Sequence, residues 1–134
     1  MRLWHYELIP YLPKSQLIAQ WRELNSIFKK EDKHILINYI YSHDKECLRT
    51  YAWAVIDEMN ARGYKINSMV NMARYFGEKT FLECDETMVY PEHNDRYLRQ
   101  CFCNLQEKYD RGQKDFTREV YSDLLNGYIA ALRK

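Results

Sequence analysis

The chain begins MRLWH, which places a free α-amine beside an arginine. Aminopeptidases that remove an initiator methionine generally need a small second residue, and Arg2 is large and charged, so we expect Met1 to be retained. In peptides an α-amine has a pKa of about 7.7–8.0, against about 10.4 for a lysine, so a useful fraction is the neutral nucleophile at neutral pH. Every chain carries such an amine. The rest of the sequence must therefore indicate whether this amine is placed to react.

A polar face on the first predicted helix carries the second set of candidate groups. Gln16, Gln20 and Glu23 recur at the i, i+4, i+7 spacing of one helix face, opposite an apolar stripe, and Arg22 flanks them. A positioned glutamate can move protons, and an arginine can bind phosphate. An ordinary solvated helix surface has the same pattern, so the spacing alone leaves both interpretations open.

Composition indicates one globular domain spanning residues 1–134. Hydrophobic residues make up 46% and charged residues 29% of the 134 positions, which is typical of a folded protein with a real core. No apolar run has the length of a membrane span, and Glu7, Pro10 and Pro13 interrupt any signal-peptide pattern. We therefore expect a cytoplasmic protein with no membrane partner.

Charge is unevenly distributed along the chain. The net charge is only +1, but residues 78–95 contain six acidic residues and one lysine, which gives a local charge of −5. The two ends are modestly basic, at +2 for residues 1–34 and +3 for residues 96–134. A basic face for nucleic acid is compatible with this distribution, and so is a mixed solvated surface.

Apolar periodicity predicts a compact all-α domain, a bundle of about four to five helices with irregular connections. Asn94 is the expected N-cap of one helix, and Gly63 and Gly112 are expected to end helices. The stretch HILINYIY, residues 34–41, is β-rich but has no partner strand, so we predict a buried extended or irregular lead-in to the second long helix. The predicted helices cover residues 14–28, 44–62, 67–76, 94–111 and about 115–132.

Roughly the first half of the chain and a short piece near residue 90 resemble the pyrimidine-dimer DNA glycosylase family of the phage endonuclease V type. The likeness is strongest in MRLWHYELIPYLPKSQLIAQWRELNSIF, where residues 16–24 read QLIAQWREL. It continues in His34 followed by an apolar run, in LRTYAWAVIDEMNARGYKI at 48–66, and in PEH at 91–93. A little-characterised bacterial branch of the family is the most similar.

The resemblance implies a mechanism on damaged duplex DNA, with no cofactor and no metal. Family members use an N-terminal α-amine to attack C1′ of the damaged nucleotide, release the base and then cleave the strand by β-elimination through an imine. By position, the amine is that of Met1 and the assisting glutamate is Glu23. Arg2 and Arg22 match arginines that bind phosphates near the lesion. Gln16 and His34 are further expected DNA contacts.

Histidines and cysteines do not indicate a metal site. His5, His34 and His93 have no partner at ligand spacing, and we expect all four cysteines to be buried free thiols. His34 and His93 either line the DNA site or are structural histidines with their hydrogen bonds satisfied. We expect a monomer whose partner is damaged duplex DNA.

A second hypothesis, of a different class, is a non-catalytic module that binds nucleic acid or protein and retains the same fold. The near-zero net charge, the acidic segment 78–95 and the bulk of Met1 motivate it.

Overall fold

The computed structural model describes residues 1–134 and is helical throughout, without a strand. The prediction of an all-α bundle of four to five helices is therefore confirmed. Short 3₁₀ helices make up part of the irregular connections. The α-helices are α1 (Lys14–Lys29), α2 (Lys45–Ala61), α3 (Val70–Phe76), α4 (Asp95–Asp110) and α5 (Arg118–Leu132), and the 3₁₀ helices are Tyr6–Tyr11, Asn38–Ser42 and Gly77–Phe81.

Helix ends follow local chemistry closely. The Asn94 side chain accepts a hydrogen bond from the Tyr97 amide, so Asn94 caps α4 as predicted. Thr117 caps α5 in the same way, and α5 therefore begins at Arg118, later than its apolar pattern suggested. Gly63 and Gly112 have φ angles of +78° and +82°, a conformation that glycine adopts without strain just after a helix.

The N-terminal segment, residues 1–13, is part of the core. Leu3, Trp4, Leu8 and Leu12 are buried, and the segment contacts α2, α4 and α5. One hydrophobic core of 28 buried residues includes members of this segment and of all five α-helices. Because the chain start is packed in this way, the position of Met1 is fixed by the rest of the fold.

Close packing holds the last two helices beside the chain start. The rings of Phe102 and Tyr128 stack with centroids 4.1 Å apart, which ties α4 to α5. Gly127 on α5 lies so close to the Tyr11 ring that a Cβ there would collide with it. The Tyr97 hydroxyl on α4 donates to the Leu3 carbonyl, which brings α4 against the first residues of the chain.

The prediction for residues 34–41 is wrong in part. This stretch forms a turn followed by the 3₁₀ helix Asn38–Ser42, and it is not extended. Ile37 and Ile40 are buried as expected, but Ile35 and Leu36 are exposed to solvent. The turn presents its first two aliphatic residues to solvent and buries the later two, so only part of its apolar sequence reaches the core.

The acidic segment 78–95 is tied to α2 by a buried arginine. The Arg49 guanidinium donates to the backbone carbonyls of Leu82 and Glu83 and also pairs with the Glu46 carboxylate. The Trp53 indole N–H donates to the Thr80 carbonyl at 2.8 Å. These bonds satisfy the backbone of a segment that has little secondary structure.

The cysteines are free, but the prediction that all four are buried is wrong. Cys47 and Cys101 are buried, whereas Cys84 is half-buried and Cys103 is exposed on α4. Cys101 and Cys103 lie two positions apart on one helix and so occupy different faces, which explains their different exposure. No helix has both the length and the apolar character needed to cross a membrane.

Candidate active site

A cavity of about 270 Å³ lies between the chain start, α1 and α4. It contains an amine, a carboxylate and cationic side chains, a combination that none of the three larger cavities offers. Four of the residues predicted as site residues line it. The lining residues are Met1, Arg2, Trp4, Gln16, Ala19, Gln20, Glu23, Leu36, Asn104 and Lys108.

Gln20 fastens the chain start to α1. Its side chain is 1% exposed, and its Oε1 accepts from the Trp4 amide at 2.8 Å and from the Tyr51 hydroxyl at 3.0 Å. Its Nε2 donates to the Arg2 carbonyl at 3.2 Å and to Glu23 Oε2 at 3.3 Å. Every polar atom of this buried amide is therefore used, and the bonds fix the backbone of residues 2–4 against the helix.

Glu23 is half-buried at the cavity wall, close to the Met1 amine. Burial raises the pKa of its carboxyl above the ordinary glutamate value. The Met1 ammonium, the Arg2 backbone N–H, the charge of Arg22 and the Gln20 amide oppose that rise. The N-terminal charge thus favours the charged form of the Glu23 carboxylate.

Arg2 extends from the chain start over α4. Its guanidinium carbon lies 5.6 Å from the centroid of the Tyr97 ring, a cation–π distance. Tyr97 in turn holds the Leu3 carbonyl through its hydroxyl. One aromatic side chain therefore orients both the Arg2 side chain and the backbone that follows it.

The other predicted residues are placed differently. Gln16 lines the cavity, and its Nε2 donates to Gln113 Oε1 at 3.0 Å. Arg22 is exposed on α1 and does not line the cavity. His34 is also exposed and outside the lining. Its Nδ1 accepts from the Leu36 amide at 3.2 Å, so its ring shapes the turn that carries Leu36 to the cavity.

Sequence reasoning missed Leu36, Asn104 and Lys108, which also line the cavity. Asn104 and Lys108 lie on α4, one helical turn apart, about a hundred positions after Met1. Their spacing places them on one helix face, but no local signal connects that face to the chain start. Leu36 was missed because the whole stretch 34–41 was predicted to be buried.

Comparison with known proteins gives one match. The family described as pyrimidine dimer DNA glycosylase matches residues 1–72, a little over half of the chain. The chain belongs to this family. No curated protein and no solved structure matches it. Because the family is one of DNA-repair glycosylases, membership makes DNA the substrate class.

The match covers one side of the cavity. Met1, Arg2, Gln16 and Glu23 fall within the residues matched to the pyrimidine dimer DNA glycosylase family. Lys108, with Asn104, falls outside them on α4. The fold therefore completes a wall of the cavity with residues from the part of the chain that the family match does not include.

Two further histidines, His5 and His93, form a separate buried cluster in this family member. His93 Nδ1 accepts from the Tyr6 amide at 3.1 Å, so its Nε2 carries the proton and bonds the Tyr39 hydroxyl at 2.6 Å. Burial lowers the pKa of His93 to about 3. His5 is also buried, and burial lowers its pKa. Neither histidine lines the cavity of Met1 and Glu23.

Proposed function

We propose that this protein is a repair glycosylase with abasic-site lyase activity, acting on damaged duplex DNA and in particular on pyrimidine dimers. The observation that carries the proposal is the shared cavity of Met1, Arg2 and Glu23 in a chain of the pyrimidine dimer DNA glycosylase family. An amine beside a half-buried carboxylate suits nucleophilic attack at a sugar carbon better than metal-assisted hydrolysis.

The reaction begins with the neutral Met1 amine. Its nitrogen forms a bond to C1′ while the glycosidic bond breaks, and the base leaves with the electron pair and takes up a proton. Opening of the sugar ring protonates O4′ and leaves an imine between Met1 and C1′. Loss of a C2′ proton then expels the 3′ phosphate, which cleaves the strand, and water releases the amine.

Glu23 serves the proton transfers and the developing positive charge. We expect its carboxylate to stabilise cationic character at the sugar, to take a proton from the Met1 nitrogen and pass it to O4′ during ring opening, and to accept the C2′ proton during elimination. The raised pKa of Glu23 helps the second task, since a carboxylate with a higher pKa is a stronger base. Gln20 holds this carboxylate next to the chain start, because its Nε2 donates to both Glu23 and the Arg2 carbonyl.

The DNA backbone is held by charged and polar groups around the cavity. Arg2 and Lys108 at the cavity, and Arg22 on the exposed side of α1, are suited to bind phosphates on either side of the lesion. Gln16 and His34 add polar contacts next to them. Such contacts fix the register of the duplex and make binding depend on salt.

A non-catalytic binding module with the same fold is the second candidate. Two observations favour it. Met1 lines the cavity and adds the bulk of its side chain where the sugar would approach, and the segment 78–95 carries a net charge of −5, which repels DNA. A module of this kind would bind a partner without breaking a bond.

A cleavage assay on defined duplexes separates the two candidates. One duplex carries a single cyclobutane pyrimidine dimer, a second carries an abasic site, and a third is undamaged. The glycosylase proposal predicts strand breaks in the first two, with an unsaturated sugar on the 3′ end left by β-elimination. Binding measured in parallel should weaken steeply as salt rises.

The outcomes discriminate cleanly. Salt-dependent binding to all three duplexes without strand breaks would contradict the glycosylase proposal and support the binding module. Cleavage of the abasic duplex alone would retain the lyase and remove the dimer as substrate. Absence of any DNA binding at low salt by the folded protein would contradict both nucleic-acid functions.

A further inference from the structure

An apolar tip lies at the rim of the cavity, formed by Ile35 and Leu36. Ile35 is 79% exposed, more than any other large apolar side chain of the protein. Leu36 is 41% exposed and also lines the cavity of Met1 and Glu23. Exposing two adjacent aliphatic side chains to water is unfavourable, and a partner that covered them would gain free energy from their burial.

The tip is held in one conformation by its own turn. The amides of Ile37 and Asn38 both donate to the His34 carbonyl at 2.9 Å, and the Leu36 amide donates to His34 Nδ1. Ile37 and Ile40 are buried directly after the tip and anchor it in the core. The two exposed side chains are therefore presented by a rigid support.

Charges near the tip favour a nucleic-acid partner. Lys29, Lys30 and Lys33 are exposed on the segment that leads from α1 into the turn. Asp32 accepts from the His34 amide and Glu31 accepts from the Tyr75 hydroxyl, and with these two acids the segment 29–33 keeps a net charge of +1. In a duplex, stacked bases lie between two charged backbones. An apolar tip beside lysines suits this arrangement, because the tip can contact bases while the lysines contact phosphates.

We propose that Ile35 and Leu36 enter the base stack of the damaged duplex next to the lesion. The two side chains fill the space left by the displaced base and keep the duplex open while the sugar C1′ lies at the Met1 amine. Apolar side chains that insert between base steps unstack and kink DNA in this way. The inference rests on the proposed function, since it assigns the tip to the same DNA site.

A fluorescent duplex tests the insertion without requiring catalysis. The probe is a short duplex with a tetrahydrofuran abasic analogue and 2-aminopurine opposite it, whose fluorescence rises when the base leaves the stack. The test variant combines Ile35→Ser and Leu36→Ser. The matched control combines Phe81→Ser and Leu82→Ser, which removes an equally exposed apolar pair, 68% and 61% exposed, outside the cavity lining.

The wild type, the control and a conservative Ile35→Leu, Leu36→Met variant should all raise the fluorescence at saturating protein. The serine variant should give a rise about tenfold smaller, because unstacking a base step costs free energy that the tip no longer offsets.

Imine trapping adds a second readout. The serine variant should trap an abasic duplex about tenfold more slowly and a single-stranded abasic oligonucleotide within about twofold of wild type, because a single strand has no stack to open. Thermal unfolding verifies that the variants are folded.

Failure of this proposal and failure of the proposed function look different. Imine trapping by wild type with equal fluorescence and trapping in the serine variant would overturn the insertion and leave the glycosylase intact. A fluorescence rise that depends on the tip, without any imine, would support the insertion and contradict the amine chemistry. No fluorescence rise with the wild type would overturn the insertion.

Discussion

The cluster around Glu23 and the cluster around His93 both lie against the N-terminal segment, and Tyr51 contacts both. The single hydroxyl hydrogen of Tyr51 is shared between the Trp4 carbonyl at 2.6 Å and Gln20 Oε1 at 3.0 Å, and the Tyr51 ring lies 5.8 Å from the His93 ring. Both clusters contain a partly or fully buried ionisable group whose pKa is shifted by burial. We propose a chemical role for only the cluster around Glu23.

Access and charge separate the two clusters. His93 is buried and neutral, with each ring nitrogen paired to a fixed partner inside the protein. Glu23 is half-buried beside the cavity of Met1, with the N-terminal ammonium as well as the neutral Gln20 amide nearby. A shifted pKa and a neighbouring cavity are thus features of both clusters, and an α-amine beside a carboxylate is a feature of one.

The largest expected effect comes from Glu23→Gln. Loss of the carboxylate should lower the rate of strand cleavage by about 10²–10⁴-fold, the range for a positioned acid–base group. Because burial already disfavours the charged carboxylate, the free energy of unfolding should stay the same or rise. Glu107→Gln, a change at an exposed position on α4, should leave both quantities unaltered. A cleavage rate within a few-fold of wild type would remove Glu23 from the mechanism.

A smaller effect is expected from Gln20→Leu, which tests whether the chain start needs its tether. The change leaves the buried Trp4 amide without an acceptor and should lower the free energy of unfolding by about 1–3 kcal/mol. Cleavage should also slow, since the Met1 amine is held through residues 2–4. Gln16→Leu serves as the control for stability, because Gln16 bonds only the Gln113 side chain. Denaturant unfolding of both variants measures the difference, and equal stability would contradict the tether.

Acidification should lower the free energy of unfolding through His93. The folded pKa of His93 is lowered to about 3, below its unfolded value, so the unfolded state binds the proton first as pH falls. Stability should therefore decrease as pH falls below about 6.5, by about 2 kcal/mol between pH 7 and pH 5.

Two variants test whether this pH dependence of stability comes from His93. In His93→Gln the slope should flatten, whereas His34→Gln, a change at an exposed histidine, should keep it. Chemical denaturation at several pH values measures the slopes. An equal slope in wild type and His93→Gln would show that another group is responsible.

The sequence alone predicted the all-α fold and the residues of one wall of the candidate site. Apolar periodicity located all five α-helices, because each buries a single face against the core. It also placed Gln16 and Glu23 on one side of α1. Gln20 looked like a third member of a solvated face, since spacing cannot reveal that the chain start packs over it.

The rest of the site depends on tertiary packing. Lys108 reaches the cavity because the α4–α5 pair packs against the N-terminal segment, a long-range contact with no local signal. Ile35 and Leu36 were predicted to be buried because their neighbours Ile37 and Ile40 are, although one turn separates the two environments. Apolar composition alone does not distinguish a core turn from an exposed tip.

The most direct test of the central claim is borohydride trapping on an abasic duplex and on a duplex with a pyrimidine dimer. The cavity holds two amines, the Met1 α-amine and the Lys108 side chain, so the position of the adduct is decisive. Intact mass verifies beforehand that Met1 is present with a free amine. We predict that reduction yields a covalent adduct with both duplexes, that the adduct maps to Met1, and that it disappears when the N-terminus is blocked. An adduct on Lys108, or no adduct from folded protein with a free N-terminus, would contradict the Met1 mechanism.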